Sequence, residues 1–394
     1  MSNSHSFLLI MAATHGLYAQ SFIRELKAQG HRVVIITRAD ALGYDWPRQD
    51  IDALYAVNDI FDAAEVRNAV SYLARTERID RLVGPGEYDI ELAASLREHL
   101  RVGGMGETTA RYFRDKLAMR ERAGSNGIRI PAFIGAIHHP AIAKFLDEVP
   151  GPWVLKPRMA ASSKGIKVLR RADEVWQALA ALGDKASEHL IERFTAGDVY
   201  HVDGVVSGRQ VLFASAHKYG RPILDLHTNG GVYTTWRVGE DTPEAQALFA
   251  LNQQVVETFG LAAGVFHIEY IQGREDGEFY FLEASARVGA GLIEEMVEAE
   301  SGINLWEEWA RLEVGQVVPP YALKRSRDVY AGVLATAAPY ETPDASPYLA
   351  ADVQALPSKP YHMGLLVTAD APEKVSARLA ELAERVQREL TIHI

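Results

Sequence analysis

Two apolar runs near residue 270, "GVFHIEYIQ" and "EFYFLEASAR", flank the segment "GREDG" (Gly273 to Gly277) and constrain this chain more tightly than any other stretch. Glycine and acids in a five-residue connection are turn chemistry, so the runs predict an antiparallel hairpin. Side chains alternate along a strand, so His267, Glu269 and Ile271 share one face, as do Phe281, Glu283, Ser285 and Arg287. With Gln272 opposite Glu278, Glu269 would face Phe281 and Glu283 would be its diagonal neighbour. Diagonal Cα atoms lie roughly 7–8 Å apart. Two carboxylates so placed can hold one or two hard cations. Alternating charges also suit a sheet face turned to water. Against that, the flanks are bulky and apolar. The second strand also runs into "VGAG" (Val288 to Gly291), which lets a backbone approach a ligand closely.

The remaining pattern is mixed. "SFLLIMAATHG" reads as a strand entering a turn, Tyr18, Phe22, Ile23 and Leu26 as a helical stripe, and "HRVVIITRA" as a second strand. A β-α-β start predicts a parallel sheet, with further strands at 53–57 and 81–84 and helices at about 61–75 and 90–100. The fingerprint G-x-G-x-x-G is absent after the first strand, which argues against dinucleotide binding. "WVLKP", "RMAASSKG", "IKVLR" and "ADEVWQALAAL" read as strand, loop, strand and helix. From His189 the pattern turns to antiparallel strands, with a helix at 243–259. A proline-rich loop, "APYETPDASPYL", precedes a final helix striped by Val375, Leu379, Leu382, Val386 and Leu390. "DAPE" (Asp370 to Glu373) fits a capping box at its start.

Composition narrows the function. With 394 residues, 48% of them hydrophobic, the chain has room for two or three domains. A net charge of −11 argues against a nucleic-acid partner. The absence of cysteine excludes disulfides, thiolate metal sites and cysteine nucleophiles, and suits a reducing cytosol. No apolar run is long enough to span a bilayer.

Lys156 ends a predicted strand before a loop of small and hydroxyl residues. It suits a phosphate grip, with Ser162 or Ser163 and loop N–H groups donating hydrogen bonds. It equally suits a lysine snorkelling at a sheet edge. Lys116 lies on a predicted helix whose other charges, Arg114, Asp115, Arg120, Glu121 and Arg122, predict an ordinary wet face.

Five segments in order, "FRDKLAMRERAGSNGIRIP", "WVLKPRMAASSKGIKVL", "IERFTAGDVYHVDGVV", "FHIEYI" and "FLEASARVGAG", resemble the ATP-grasp superfamily. Within it, the likeness is to carboxylate–amine ligases that include L-amino-acid (dipeptide) ligases, and it covers about residues 113–291. The resemblance implies a combined α/β and α+β architecture, the ATP-grasp fold. Its parts would be a Rossmann-like pre-ATP-grasp domain (1–110), a small subdomain with a lid loop (111–190), a large subdomain with the metal hairpin (191–315) and a C-terminal α+β segment completing the core (316–394).

The resemblance also implies roles. Lys116 and Lys156 would contact ATP phosphates, under a loop of residues 159–165 that carries Ser162, Ser163 and Gly165. Glu192, Arg193, Phe194 and Thr195 would form the adenine hinge. Glu269 and Glu283 would bind magnesium, or manganese, and Arg287 would act with Lys156 on the transferred phosphate or acyl intermediate. Two positions depart from the family. Ser285 stands where many members have a metal-binding asparagine, and Val199 where many have a ribose-binding glutamate, leaving Asp198 to take that role. His217, Lys218, Tyr219, His227, Asn229, His267 and Gly289 are candidates for substrate contact. The loop positions among them also fit an ordinary surface.

The implied reaction joins a carboxylate, that of an amino acid, to an amine through an acyl phosphate, releasing ADP and phosphate. The partners would be small-molecule acids and amines, with no nucleic acid and no membrane, in a cytoplasmic homodimer. Rivals are a purine-biosynthesis step or biotin-type carboxylation on the same fold, and a non-catalytic nucleotide-binding protein.

Overall fold

The structure is a computed structural model. It describes residues 4–12, 19–229, 231–315, 323 and 326–390, without the side chains of 227–229.

The first strand, β1 (Ser6–Met11), is buried along its whole length. Phe7, Leu9 and Met11 join a core with Phe22, Ile23 and Leu26 of the helix Gln20–Ala28, while Leu8 and Ile10 join another. That second core holds Val66, Val70, Ala93 and Leu96, from helices Ala63–Leu73 and Ile90–Leu100. Burial on both faces is what a parallel sheet between helices requires. β1 pairs in parallel with β2 (Arg32–Arg38) and β4 (Arg81–Val83), and β3 (Ala53–Val57) lies outside β2.

A small antiparallel sheet follows, built from β5 (Phe133–Gly135), β6 (Trp153–Pro157), β7 (Lys167–Leu169) and β8 (His189–Arg193) in the order β5-β8-β6-β7. Trp153 and Leu155 pack with Ile142, Val175 and Leu179 of two covering helices. Strand alternation therefore turns Val154 and Lys156 to the other face.

The largest sheet has eight strands: β9 (Gly197–Ser207), β10 (Gln210–Tyr219), β11 (Tyr233–Arg237), β12 (Ala263–Gly273), β13 (Phe279–Ser285), β14 (Tyr330–Ala337), β15 (Val353–Leu356) and β16 (His362–Ala369). Their order is β13-β12-β9-β10-β11-β14-β16-β15, so the three strands from the C-terminal segment extend one continuous sheet. The final helix, Pro372–Leu390, covers them with Val375, Leu379, Leu382 and Val386. The expected capping box does not form. The helix starts two residues after Asp370, whose carboxylate takes Lys374 at 2.7 Å instead.

The hairpin register also differs from the expected one. The turn closes with Gly273 N–H on the Glu278 carbonyl (2.9 Å), and Gln272 pairs with Phe279 rather than Glu278. Tyr270 then faces Phe281, and the ladder skips Leu282, so Glu269 stands directly opposite Glu283. One extra residue in a strand reverses its alternation. Phe281 accordingly joins the core with Ala284, Ala286 and Phe259, while Glu283, Ser285 and Arg287 line a cavity on the other side. Phe281 does not share their face.

β9 runs through the middle of this packing. A Cβ on Gly204 would lie 2.2 Å from the Phe213 carbonyl oxygen and 2.6 Å from the Phe266 ring. Gly204→Ala is therefore expected to destabilise the fold by about 1–3 kcal/mol, the usual scale of overpacking. A thermal melt checks this, and an unchanged midpoint would contradict the close approach of β9 and β10.

Candidate active site

A cavity of about 430 Å³ opens between the small sheet and the large one. Its walls carry Lys116, Lys156, Ser162, Ser163, Glu192, Arg193, Phe194, Thr195, His267, Glu269, Glu283, Ser285 and Arg287, which are far apart in sequence. Gly165 is not on the wall; it has φ +75° and sits against the Pro157 ring. Ser162 and Ser163 both have positive φ (57° and 55°), an unusual backbone for residues with side chains.

The helix Lys116–Gly124 contradicts its wet-face reading. Arg114, Asp115, Lys116 and Arg120 are buried, and only Glu121 and Arg122 are exposed. The reason is that each buried charge has a partner. Asp115 caps the helix through Leu117 N–H (3.0 Å) and pairs with Arg158. Lys116 and Arg120 are one turn apart on one face. Lys116 Nζ donates to Glu283 Oε1 (2.9 Å) and to the Ala160 carbonyl (2.7 Å). Arg120 meets Glu192 at 2.7 Å, and Lys156 takes the other Glu192 oxygen at 2.7 Å. Burial lowers the Lys156 ammonium and Glu192 only partly offsets it, leaving a pKa of about 8.

The expected hinge is corrected in part. The Glu192 side chain is committed to Lys156 and Arg120, and the N–H groups of Arg193 and Phe194 are bonded to the Ala132 and Pro152 carbonyls (2.8 and 2.9 Å). Those two N–H groups are not available to read a base. Asp198 is also not on the cavity wall. Alternation along β9 puts Val199 there and turns Asp198 to Lys218 at 2.7 Å.

Glu87 escaped the sequence reading. It follows β4 in "GPGEYD", and its carboxylate accepts from Ser285 Oγ (2.7 Å), Arg287 Nε (2.5 Å) and Arg114. Arg114 also donates to the Met159 carbonyl (2.7 Å) at the root of the serine loop. Burial would raise the Glu87 carboxyl, but Arg287 and Arg114 outweigh it and hold it at about 2. Its place just beyond the carboxyl end of a parallel strand, where α/β sheets bind ligands, was the available signal.

The paired carboxylates suit a hard cation such as magnesium or manganese. Every contact described for them falls on one oxygen of each. Glu283 Oε1 takes Lys116, while Glu269 Oε1 accepts from Tyr219 Oη (2.8 Å) and faces His267 Nε2 (3.5 Å). Ser285 lines the same wall, but its hydroxyl hydrogen is given to Glu87.

Of the substrate candidates whose side chains are described, only His267 reaches the cavity wall. His217, Lys218 and Tyr219 lie in β10, Gly289 packs against Asp203, and the side chains of His227 and Asn229 lie outside the described residues. His217 instead belongs to a buried chain of charges. Its Nε2 lies 3.2 Å from Glu300 and its Nδ1 lies 3.4 Å from Asp203. Asp203 also meets His201 Nδ1 (2.5 Å) and His267 Nδ1 (2.9 Å). Burial opposes the charged form of all three histidines. At His267, Asp203 and Glu269 reverse that and raise the pKa to about 10, and at His217, Glu300 and Asp203 raise it to about 9. His201 stays neutral at about 4. Ligand atoms of His201, Asp203 and His267 lie within 4.8 Å of one another, but each is already hydrogen-bonded within the set. Charge alternates from Glu300 to Glu269.

No protein-family model matches the chain. An L-arginine-specific L-amino acid ligase from Bacillus subtilis is 23% identical over 269 residues, which are 67% of this chain and 64% of that enzyme. The match therefore spans less than two thirds of the relative's length. The solved L-amino acid ligase from Bacillus licheniformis superposes with a TM-score of 0.74 at 18% identity, covering 98% of each chain. A carboxyaminoimidazole ribonucleotide synthase from Aspergillus clavatus, solved with ATP, has the same TM-score and identity and covers 98% of this chain and 100% of its own. The chain has the ATP-grasp fold. In ATP-grasp terms the small sheet carries the loop and Lys156, and the large sheet carries the paired acids.

Glu192→Gln tests the buried triad at this cleft. It leaves Lys156 and Arg120 facing each other without an acid, which should cost about 3–5 kcal/mol. Lys156 has a folded pKa near 8, below its unfolded value of 10.5, and losing Glu192 lowers it further. The lysine's share of the penalty is thus largest at low pH, shrinks as the pH rises towards 8 and is smallest above it. Urea titrations at pH 6.5 and 9 measure that difference.

Proposed function

We propose that this protein is an ATP-dependent ligase that joins the carboxylate of an amino acid to an amine, releasing ADP and phosphate. The observation that carries the reading is the Glu269–Glu283 pair on one wall of a cavity that also holds Lys116, Lys156 and Arg287. The L-arginine-specific L-amino acid ligase from Bacillus subtilis supports the choice among ATP-grasp reactions, since the sequence matches it at 23% identity over 269 residues.

In this reading Lys116 and Lys156 grip the nucleotide's phosphates, and the loop carrying Ser162 and Ser163 closes over them. Magnesium held by Glu269 and Glu283 would neutralise charge on the β- and γ-phosphates. A substrate carboxylate oxygen bonds to the γ-phosphorus as the bond to the β-phosphate oxygen breaks, giving an acyl phosphate and ADP. The amine nitrogen then attacks the acyl carbon, phosphate leaves and the nitrogen loses a proton. Arg287, oriented by Glu87, would stabilise the oxyanion or the departing phosphate. Acyl phosphates hydrolyse readily, so loop closure serves to exclude water. Residence in the cytoplasm fits ATP consumption and a chain without cysteine, and no described helix is long and apolar enough to cross a membrane.

The expected result is magnesium-dependent release of ADP and phosphate when pairs of amino acids are supplied, and none without them. ADP release driven by bicarbonate or a purine ribonucleotide, and not by amino acids, would point to a carboxylase or purine-pathway enzyme. Tight ATP binding with no turnover on any acid–amine pair would favour a binding protein. Glu283→Ala should lower kcat at least about 100-fold, the scale of losing one electrostatic stabiliser. Its circular dichroism should match the parent's.

A further inference from the structure

Glu269 is held from behind by the wall of the large sheet as well as facing the cavity. Its Oε1 accepts from Tyr219 and faces His267 Nε2, and the other nitrogen of His267 lies 2.9 Å from Asp203 Oδ1. Asp203 is fully buried on β9 and shares its second oxygen between His201 (2.5 Å) and His217 (3.4 Å). His201 is fixed in turn by Thr235 on β11 (2.8 Å), and His217 by Glu300 (3.2 Å). Four neighbouring strands and a helix thus converge on one carboxylate. A buried carboxylate is costly, and an apolar residue would fill the core without that cost. Gly289 supplies a separate observation. A Cβ there would lie 2.7 Å from Asp203 Oδ1 and 3.1 Å from His267 Nδ1, so the chain leaves out a side chain where it would press on this contact.

We propose that Asp203 is a positioning residue for the metal-binding carboxylate: it fixes the ring plane of His267, and His267 with Tyr219 fixes Glu269. This rests on the reading of Glu269 as a metal ligand given above. A carboxylate behind a histidine is a familiar way to orient metal ligands, and losing such an outer partner costs 10–100-fold in metal affinity. Here the ligand is the carboxylate and the histidine lies one step behind it. Asp203 touches neither the cavity nor the reacting groups.

The test is Mn2+ binding, followed by the loss of the free-ion paramagnetic resonance signal, in the presence of a non-hydrolysable ATP analogue. It needs no knowledge of the substrates. Asp203→Asn keeps the volume but offers one acceptor oxygen where three histidines now meet two. It should weaken Mn2+ about 10-fold or more, while leaving metal-free binding of the analogue unchanged. Glu269→Ala is the reference and should weaken Mn2+ further. If Glu269→Ala weakens the ion and Asp203→Asn does not, the positioning role is wrong and the metal reading stands. If Glu269→Ala itself leaves Mn2+ binding unchanged, the metal reading falls and this inference with it. Should Asp203→Asn fail to fold, Gly289→Ala pushes on the same contact and should weaken Mn2+ in the same assay; an unchanged affinity there overturns the proposal.

Discussion

Glu269 and Glu283 stand opposite each other because the ladder skips Leu282, and the charges around the cavity are arranged about that pair. Without the bulge, alternation would send Glu283 into the core beside Phe281, where a lone carboxylate would cost several kcal/mol. With it, Phe281 fills the core under Phe259, and Glu283 reaches the space shared with Lys116. A single inserted residue therefore serves packing on one side of the sheet and chemistry on the other.

The same economy governs the cations. Lys116 meets Glu283, Lys156 meets Glu192 together with Arg120, and Arg287 meets Glu87. Lys116–Glu283 and Arg287–Glu87 join separate structural layers, and Arg120 reaches the small sheet from its helix, whereas Lys156 and Glu192 both belong to the small sheet. Glu87 comes from the parallel sheet, Glu192 from the small sheet and Glu283 from the large one. The pairs that cross between layers thus tie them together at the cavity, where on the proposed reading a nucleotide polyphosphate would compete for the same cations. Exchanging an internal carboxylate for a phosphate oxygen changes the partner without stripping the cation bare, which avoids most of the cost of a buried unpaired charge.

Much of the fold could be read directly. The β-α-β start, the helix at 243–259, the hairpin and the final helix all follow from apolar periodicity and turn residues. Lys156, Glu269, Glu283 and Arg287 could be singled out because acids and bases next to apolar strand residues are unusual. Arg120 could not, and Glu87 was marked only by its place beyond the end of β4. Arg120 sits in a helix as charged as any surface helix, and its burial depends on Glu192, over seventy residues later, being there to meet it. Asp203 was passed over because "YHVDG" looks like one more alternating strand, and nothing local shows that three histidines from three strands surround it. The substrate candidates in β10 lie off the cavity wall because a mid-sheet strand is packed on both faces: His217 meets Glu300, Lys218 meets Asp198 and Tyr219 meets Glu269.

By itself the sequence determined the kinds of secondary structure, their order and the chemical types gathered near the hairpin, because periodicity, turns and composition are local properties. The tertiary structure alone decided the register that sets Glu269 against Glu283, the partner of each buried charge and the face on which each polar strand residue falls. Those depend on contacts between residues far apart in sequence, such as Ser285 and Arg287 with Glu87, 198 and 200 positions away. No local rule can fix them, since a carboxylate beside a valine reads the same whether its partner is water or an arginine from another layer.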